Sequence, residues 1–263
     1  MTPAKVLVLT DTHVSNPGSL VKGIDSSARL RATLDMASVD HPDAACAVVM
    51  GDLVHWGGPG EYAEFLACLG ERPWPVHLML GNHDNRAKFI EAFPDAPLTP
   101  SGHVQQVVDL DGWRLVLLDS HDEQFSAPFH SGVLCEERMA WLVAALDGAG
   151  DRRVVVFVHH PPMITFFDGM DEIGLRNSDE LLGVLGARPN VEMVVSGHLH
   201  RSISGVARGV TVTILQSTSH QSPLALGESS TDLNTDEPPA FGIVLLHETG
   251  VTVHTVDVDV TGD

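Results

Sequence analysis

Cysteine is scarce in this 263-residue chain, which contains only three such residues. Cys46, Cys68 and Cys135 lie far apart and form no CxxC pair. An odd, unclustered set argues against a disulfide framework and against a metal site built from thiolates. We interpret these residues as small buried hydrophobes of a protein in a reducing compartment.

Basic residues are also few, since 15 lysines and arginines stand against 35 aspartates and glutamates, for a formal charge of −20. A nonspecific nucleic-acid binder needs the opposite charge, because lysine and arginine make the phosphate contacts. The composition therefore argues against a DNA or RNA partner, although bound metal ions would reverse the local field. We interpret most of the acidic residues as a solvated surface.

Long apolar runs are missing as well. No stretch of the sequence approaches the ~20 apolar residues that a membrane-spanning helix needs. The first predicted strand begins at Lys5, which leaves no room for a signal peptide in front of it. We therefore expect a soluble, cytoplasmic protein that has no membrane partner.

What the chain does contain is an alternation of apolar runs and helical patterns. Ten runs have the composition of strands: 6–9, 47–50, 76–80, 104–110, 114–118, 154–158, 193–195, 210–215, 243–246 and 251–256. Helical patterns lie at 26–37, 60–69, 136–146 and 178–185. The first three strands are continuously apolar and separated by helices, which predicts a parallel sheet covered on both faces. Hairpin signals at Asp111-Gly112 and Thr249-Gly250 predict a second, partly antiparallel layer in the C-terminal half.

Polar side chains follow five of these strands at the point where each strand ends. The five segments are Thr10-Asp11-Thr12-His13, Gly51-Asp52, Gly81-Asn82-His83-Asp84, His159-His160 and Gly197-His198-Leu199-His200. One such segment is typical of a turn, but ligands bind at the carboxyl ends of the strands in α/β sheets. Five coincident strand ends therefore favour one common site. In extended segments the side chains of residues i and i+2 point the same way, so the pair Asp11 and His13, like the pair His198 and His200, can bind one ion or two adjacent ions.

The pooled side chains have the chemistry of metal ligands. Seven residues qualify: Asp11, His13, Asp52, Asn82, His159, His198 and His200. This set is too large for one transition metal with an open position, and it is large enough for two ions that share a carboxylate. Four imidazoles without a thiolate favour Mn, Fe, Zn or Co over Mg or Ca. Two such ions activate water and support an in-line displacement at phosphorus.

In this order, the motifs DTH, GD, GNHD, HHPP and GHLH resemble those of the calcineurin-like metallophosphoesterase superfamily. The resemblance implies a single domain over residues 1–263, an α/β four-layer sandwich in which two mixed sheets lie between layers of helices. It implies one ion held by Asp11, His13 and His200, a second held by Asn82, His159 and His198, and Asp52 as the bridging ligand. It makes His83 a catalytic residue that contacts the phosphate and the leaving group. We expect Asp84 to orient His83 or a metal ligand by accepting a hydrogen bond.

Departures from the branches of this superfamily narrow the function. The segment 51–57 lacks the Asp-Arg pair of protein Ser/Thr phosphatases, and His55 stands where purple acid phosphatases have an iron-binding tyrosine. The nearest resemblance is to bacterial class III cyclic-nucleotide phosphodiesterases and glycerophosphodiester phosphodiesterases. It implies that His220 lies near the substrate, and that the segment 217–240 forms a cap or the contact of a dimer or larger homo-oligomer.

These observations predict a metal-dependent phosphoric diester hydrolase with two divalent ions, which attacks small phosphodiesters with a metal-bridging hydroxide. The expected substrates are cyclic nucleotides or glycerophosphodiesters. A phosphomonoesterase or a nuclease on the same scaffold is one alternative, and a noncatalytic, metal-poor binding module is another. His160 is expected to pack, because adjacent strand residues face opposite ways. For Trp56, a pocket wall and a core or oligomer contact are equal alternatives.

Overall fold

A computed structural model of the chain describes residues 3–124 and 128–260. The strands in these ranges are β1 (Ala4–Leu9), β2 (Cys46–Met50), β3 (Val76–Met79), β4 (Gln106–Leu110), β5 (Trp113–Leu118), β6 (Arg153–Val158), β7 (Val191–Ser196), β8 (Ile203–Ala207), β9 (Val210–Ile214), β10 (Ala240–His247) and β11 (Gly250–Asp257). The helices are α1 (Ser26–Asp40), α2 (Pro59–Leu69), α3 (Arg86–Ala92), α4 (Glu136–Asp147), α5 (Asp168–Glu172) and α6 (Ser178–Gly186). None of these helices has both the length and the hydropathy needed to cross a membrane. The predicted domain, 1–263, extends beyond the described residues.

The strands form two mixed sheets. The first has the order β11-β10-β1-β2-β3, in which β1, β2 and β3 are parallel and β10 is antiparallel to both of its neighbours, β1 and β11. The second has the order β4-β5-β6-β7-β9-β8, which is parallel from β5 to β9 and antiparallel at both edges. The parallel arrangement of the first three strands is therefore confirmed.

Apolar side chains fill three layers, because each strand presents alternate residues to opposite faces. Val8, Met50 and Phe157 belong to the layer between the two sheets. Helices α1, α2 and α3 cover the outer face of the first sheet through residues such as Phe65. Helices α4 and α6 cover the second sheet through residues such as Leu142. The result is the predicted four-layer sandwich, whose fold class is confirmed.

Several elements differ from the sequence-based expectation. The β10–β11 hairpin extends the first sheet, with Val244 opposite Val6, whereas we expected it in the second layer. Its strand β10 is buried along most of its length, as a strand with a neighbour on each side must be. Strand β8 was not predicted, because Ser204 and Gly205 interrupt its apolar pattern. Helices α3 and α5 were also missed, since their seven and five residues are too few to show a helical period.

Besides the five polar segments described above, a sixth follows β5, and its residue Asp119 lies in a buried cluster of charged side chains. Asp119 is fully buried and accepts hydrogen bonds from the Arg86 guanidinium at 2.8 and 3.1 Å and from the N–H groups of Val104 and His121. The guanidinium of Arg138 lies 3.8 Å away. Burial would raise the pKa of Asp119, but Arg86 outweighs this effect and lowers it. Because α3 covers one sheet and α4 the other, the cluster joins the two halves of the sandwich.

Replacing Asp119 by alanine should lower the free energy of unfolding by about 3–5 kcal/mol, because two buried guanidinium groups lose their carboxylate. Urea denaturation measures the difference. The matched control is Glu91→Ala, which removes an exposed ion pair with Lys88 and should cost less than about 1 kcal/mol. Folding lowers the pKa of Asp119, so its contribution is present above a pH of about 4 and is lost below it. Equal losses in the two variants would contradict this role.

Candidate metal centre

The seven predicted ligands meet at one edge of the sandwich, where the carboxyl ends of β1, β2, β3, β6 and β7 lie side by side. Each of these side chains belongs to a residue that is at most 9% exposed: Asp11, His13, Asp52, Asn82, His159, His198 and His200. Four of the seven residues follow strands of the first sheet, three of them after β1 and β2 and one after β3. The other three residues follow β6 and β7 of the second sheet. The site is therefore built by both sheets.

The backbone of five of these residues is left-handed. The φ angles are +53° at Asp11, +44° at His13, +47° at Asp52, +73° at His198 and +52° at His200. The expectation of extended segments at DTH and GHLH is therefore wrong, because both predicted ligands of each motif have a left-handed backbone. This conformation is uncommon for a residue with a Cβ and costs about 1 kcal/mol or more. Its concentration at one edge of the sheets indicates a functional site.

Two glycines of the motifs are required by close packing of the strand ends. A Cβ atom at Gly81 would overlap the carboxylate and the backbone nitrogen of Asp52. A Cβ atom at Gly197 would overlap the hydroxyl of Thr10 and a carboxylate oxygen of Asp11. Because glycine has no side chain, loops from neighbouring strands can approach one another this closely.

The first group of ligands consists of Asp11, His13 and His200. His200 Nε2 lies 3.1 Å from His13 Nε2 and 3.2 Å from Asp11 Oδ1. His200 Nδ1 donates a hydrogen bond of 2.8 Å to the carbonyl of His220, which leaves Nε2 as the nitrogen with a free lone pair. The Thr10 hydroxyl donates to Asp11 Oδ2 at 2.7 Å. These bonds fix the ligand atoms in a convergent arrangement.

The second group consists of Asn82, His159 and His198. Asn82 Oδ1 lies 3.2 Å from His159 Nε2, while its amide nitrogen donates to His130 Nδ1 at 3.0 Å. His159 Nδ1 donates to the carbonyl of Met50 at 2.9 Å, so its Nε2 faces the site. The rings of His159 and His198 are 5.3 Å apart. Burial lowers the pKa of His198 to about 3, which keeps this ring neutral at pH 7.

Asp52 lies between the two groups. Its Oδ2 atom is 3.6 Å from His13 Nε2 and 3.4 Å from His159 Nε2. Its Oδ1 atom accepts the backbone N–H of His83 at 2.8 Å. Burial would raise the pKa of Asp52, but the surrounding imidazoles, His159 foremost, hold it well below its usual value. Burial alone would lower the pKa of His159, but the carboxylate of Asp52 raises it to about 9.

This donor set fits divalent metal ions. In each of four residue triplets, the possible ligand atoms lie within 4.8 Å of one another. Three of these triplets contain two or more of the seven predicted ligands: His13, His200 and His220; His159, His160 and His198; and Asp11, Asp52 and His159. His198 Nε2 is buried and has no hydrogen-bond partner among the described residues. A buried polar atom without a partner is unfavourable. A cation at this position would satisfy it.

His83 lies in a stack of three imidazoles. Its ring centroid is 5.1 Å from that of His55 and 5.2 Å from that of His130, with interplanar angles of 18° and 26°. Its Nδ1 donates to the carbonyl of His55 at 2.8 Å, which leaves Nε2 available. The side chain lines the same cavity as Asp52 and Asn82. The stack holds the His83 ring in one orientation beside the predicted ligands.

We predicted that Asp84 orients either His83 or a metal ligand. No hydrogen bond joins the Asp84 carboxylate to the His83 ring among the described residues. The Asp84 carboxylate accepts hydrogen bonds from the N–H groups of Gly81, Leu53 and Val54 and from the Tyr62 hydroxyl, at 2.9, 3.2, 3.4 and 3.1 Å. Burial, followed by the charge of Asp52, raises the pKa of Asp84 to about 7. Because Leu53 directly follows Asp52, these bonds position the Asp52 loop. The contacts of Asp84 thus connect it to the Asp52 loop, and its role in the reaction stays a prediction.

His220 and His160 differ in how their nitrogens are used. The His220 ring lies 4.3 Å from that of His200 and lines the cavity, and its buried Nδ1 has no partner in the described part of the chain. Burial lowers the pKa of His220 to about 2, so this ring is neutral. His160 Nδ1 lies 2.7 Å from the Ser120 hydroxyl, and its Nε2 lies 3.1 Å from the carbonyl of His130. With both nitrogens engaged, His160 packs behind the site.

Two histidines outside the predicted set contact these residues: His55, whose position close to the site the sequence indicates, and His130, which matches no motif. His55 Nδ1 lies 3.3 Å from His13 Nδ1, and His130 binds the amide of Asn82. His55 has a positional signal, since it follows Asp52 by three residues. His130 has none, because it lies in the long connection between β5 and α4 that only the tertiary structure brings to the site.

The ligands face a cavity of about 570 Å³. Apolar side chains line its mouth: Trp56, Met170, Ile173 and Leu233. Lys22 is the one lysine or arginine among the described residues that line it. The Lys22 ammonium forms an ion pair with Asp232 of the segment 217–240 and lies 3.4 Å from the carbonyl of Leu233. Among the residues that the structure describes, the cavity therefore contains no lysine or arginine without an ion-pair partner.

The motifs and the fold agree with known proteins. The family model of the calcineurin-like phosphoesterases matches residues 4–202. A probable cyclic nucleotide phosphodiesterase of Rhodopseudomonas palustris is 38% identical over 251 residues, which cover 95% of this chain and 91% of the relative. The glycerophosphodiester phosphodiesterase GpdQ of Enterobacter lignolyticus is 33% identical over 226 residues, which cover 82% of this chain and 77% of the relative. The crystal structure of a dimetal phosphatase from Danio rerio has the same fold, with a TM-score of 0.68 at 17% identity and coverage of 98% of this chain and 100% of the other. As its motifs predict, the chain belongs to the calcineurin-like phosphoesterase family.

Proposed function

We propose that this protein is a phosphodiesterase that depends on two divalent metal ions and hydrolyses small phosphodiesters. The relatives named above are a cyclic nucleotide phosphodiesterase and a glycerophosphodiester phosphodiesterase, which supports both substrate classes. The position of Asp52 between two groups of buried ligands is the observation that carries the proposal. One shared carboxylate is what a pair of ions needs.

In this proposal Asp11, His13 and His200 hold one ion, Asn82, His159 and His198 hold the other, and Asp52 bridges them. Nitrogen and oxygen donors without a thiolate suit Mn, Fe, Zn or Co. When bound, such a pair activates water and stabilises charge on the phosphoryl oxygens. The hydrogen bonds of His159 and His200 to backbone carbonyls support this assignment, because they leave both Nε2 atoms free to ligate.

The charge of the cavity favours a diester over a monoester. Two divalent ions and the carboxylates of Asp11 and Asp52 leave a charge of about +2, which one hydroxide and one phosphodiester monoanion neutralise. A phosphate dianion would need a further cation. The one lysine that lines the described cavity, Lys22, is already paired with Asp232. Asn82 ligates through a neutral oxygen and so preserves this balance.

We propose that His83 is the side chain that acts directly on the substrate, in addition to the metal ions. Its Nδ1 donates to the carbonyl of His55, so the Nε2–H of the doubly protonated ring can donate a proton to the leaving alkoxide or a hydrogen bond to a nonbridging oxygen. His220 is the second side chain that we place beside the substrate, because it lines the cavity next to His200. Asp84 acts on the reaction only through the loop of Asp52.

The segment 217–240 is proposed as a cap of the cavity. Five of its residues line the cavity, namely His220, Ser222, Thr231, Asp232 and Leu233, and Asp232 pairs with Lys22 on the other side. A role of the same segment in a homo-oligomer stays a prediction of the sequence, as does the cytoplasmic location.

Turnover of bis-p-nitrophenyl phosphate and of p-nitrophenyl phosphate by manganese- or cobalt-reconstituted protein tests the reaction class. The diester should have a kcat/KM at least about tenfold higher, because a second negative charge has no counter-ion in the cavity. A strong preference for the monoester would overturn the proposal in favour of a phosphomonoesterase. No turnover, together with less than about one bound ion per chain, would indicate the noncatalytic alternative.

The variant Asp52→Asn tests the shared ligand. We expect its metal content to fall from about two ions per chain to one or fewer, with a loss of kcat/KM greater than about 100-fold. Elemental analysis after dialysis and steady-state kinetics measure the two effects. Asp43→Asn, which alters an exposed carboxylate paired with Lys5, is the control and should keep both ions. Two ions retained in the Asp52 variant would refute the bridging role.

The variant His83→Ala separates catalysis from metal binding. Its kcat should fall by about 10²–10⁴-fold while the metal content stays the same, since His83 donates to the substrate and holds no ion. His254→Ala, an exposed histidine on β11, is the matched control. Loss of an ion in the His83 variant would assign this residue to the ligand set instead.

A further inference from the structure

Trp56 is the exposed aromatic residue at the mouth of the cavity. Its side chain lines the cavity, and the residue is 76% exposed, whereas Trp74 and Trp113 are buried. Exposing an indole to water forgoes the apolar burial that a residue of this size normally gains. A flat aromatic face that stays open beside a catalytic centre is a binding surface for a planar group.

The loop that carries Trp56 is held in place by a buried carboxylate. Glu61 is fully buried and accepts the backbone N–H of Trp56 at 2.9 Å, that of Gly58 at 3.0 Å and the hydroxyl of Ser15 at 3.2 Å. Gly57 has a φ of +67°, and a Cβ there would lie 2.9 Å from the Cβ of Asn85. A buried carboxylate is costly unless it is fully hydrogen-bonded. The loop is therefore preorganised, and the indole that it presents is fixed at its base.

A chain of ring contacts connects this indole to the catalytic side chain. Trp56 packs edge to face on His55, with centroids 4.5 Å apart, and His55 stacks on His83 at 5.1 Å. The indole thus stands two ring contacts from the group that faces the phosphate. In a nucleoside phosphate, one sugar separates the phosphate from the base. The apolar residues Met170, Ile173 and Leu233 line the same cavity and suit the edge of a base.

We propose that Trp56 is the stacking surface for a nucleobase, so that the substrate of this site is a cyclic nucleotide rather than a glycerophosphodiester. Every base has a π face that stacks on an aromatic side chain, and this contact is independent of metal binding. A glycerol group has neither such a face nor a positive charge, so it gains little from an indole. The inference rests on the proposed function, whose substrate class it narrows.

Steady-state kinetics of the metal-reconstituted protein test the inference with two substrates, cyclic AMP and glycerophosphoglycerol, whose two glycerol groups carry no charge. The variant Trp56→Ala should raise the KM for cyclic AMP about 5- to 30-fold, because the stacking contact is lost. Trp56→Phe keeps a flat ring and should change this KM by less than about threefold. In both variants the KM for glycerophosphoglycerol should change by less than about twofold. Equal changes for the two substrates in Trp56→Ala, or no change for cyclic AMP, would overturn the inference.

A second measurement does not depend on turnover. Adenosine 5′-monophosphate should quench the tryptophan fluorescence of the zinc-reconstituted wild type, and this quenching should be lost in Trp56→Phe. The control Phe166→Ala removes an exposed aromatic that does not line the cavity, so it should leave both measurements unchanged. If the wild type hydrolyses no diester, the proposed function fails, whereas the titration still decides the role of Trp56. Quenching that persists in Trp56→Phe would count against it.

Discussion

The carboxylate of Asp52 is the point on which the site depends. It stands within 3.6 Å of His13, which follows a strand of the first sheet, and within 3.4 Å of His159, which follows a strand of the second. Each group of ligands also combines residues from both sheets. The site therefore exists only when the two sheets are packed with the correct offset, and the apolar layer between them, which contains Val8 and Phe157, sets that offset.

The sequence predicts the site better than the fold around it. Motifs at five strand ends predict seven ligands because chemistry restricts the residue types, and the structure brings these seven residues together because parallel strands end at the same edge of a sheet. The position of β10 and β11 is not encoded locally, since an apolar strand pairs equally well with either sheet. The link of Asp84 to the Asp52 loop and the contact of His130 with Asn82 are also tertiary: neither residue type nor spacing specifies the partner.

The predicted ligand residues can be compared with the buried charged residues elsewhere in the structure in terms of what their burial and backbone conformation cost. The site adds strain at five positions to the desolvation of imidazoles and carboxylates. Elsewhere the structure holds buried charges with many hydrogen bonds, as around Asp119 and Glu61. In those clusters each carboxylate accepts hydrogen bonds from several protein donors. The candidate metal centre differs, because the buried His198 Nε2 and His220 Nδ1 have no hydrogen-bond partner among the described residues.

The ion pair of Lys22 and Asp232 bears on how ligands enter the cavity. The Asp232 side chain is 90% exposed, and the residues it connects lie far apart in the sequence. An ion pair in such contact with water contributes about 0–1 kcal/mol at most and is weakened further by salt. Separating the two loops thus requires no disruption of either sheet. The mouth of the cavity can widen on the timescale of loop motion, nanoseconds to microseconds, while the ligand cluster beneath it stays rigid.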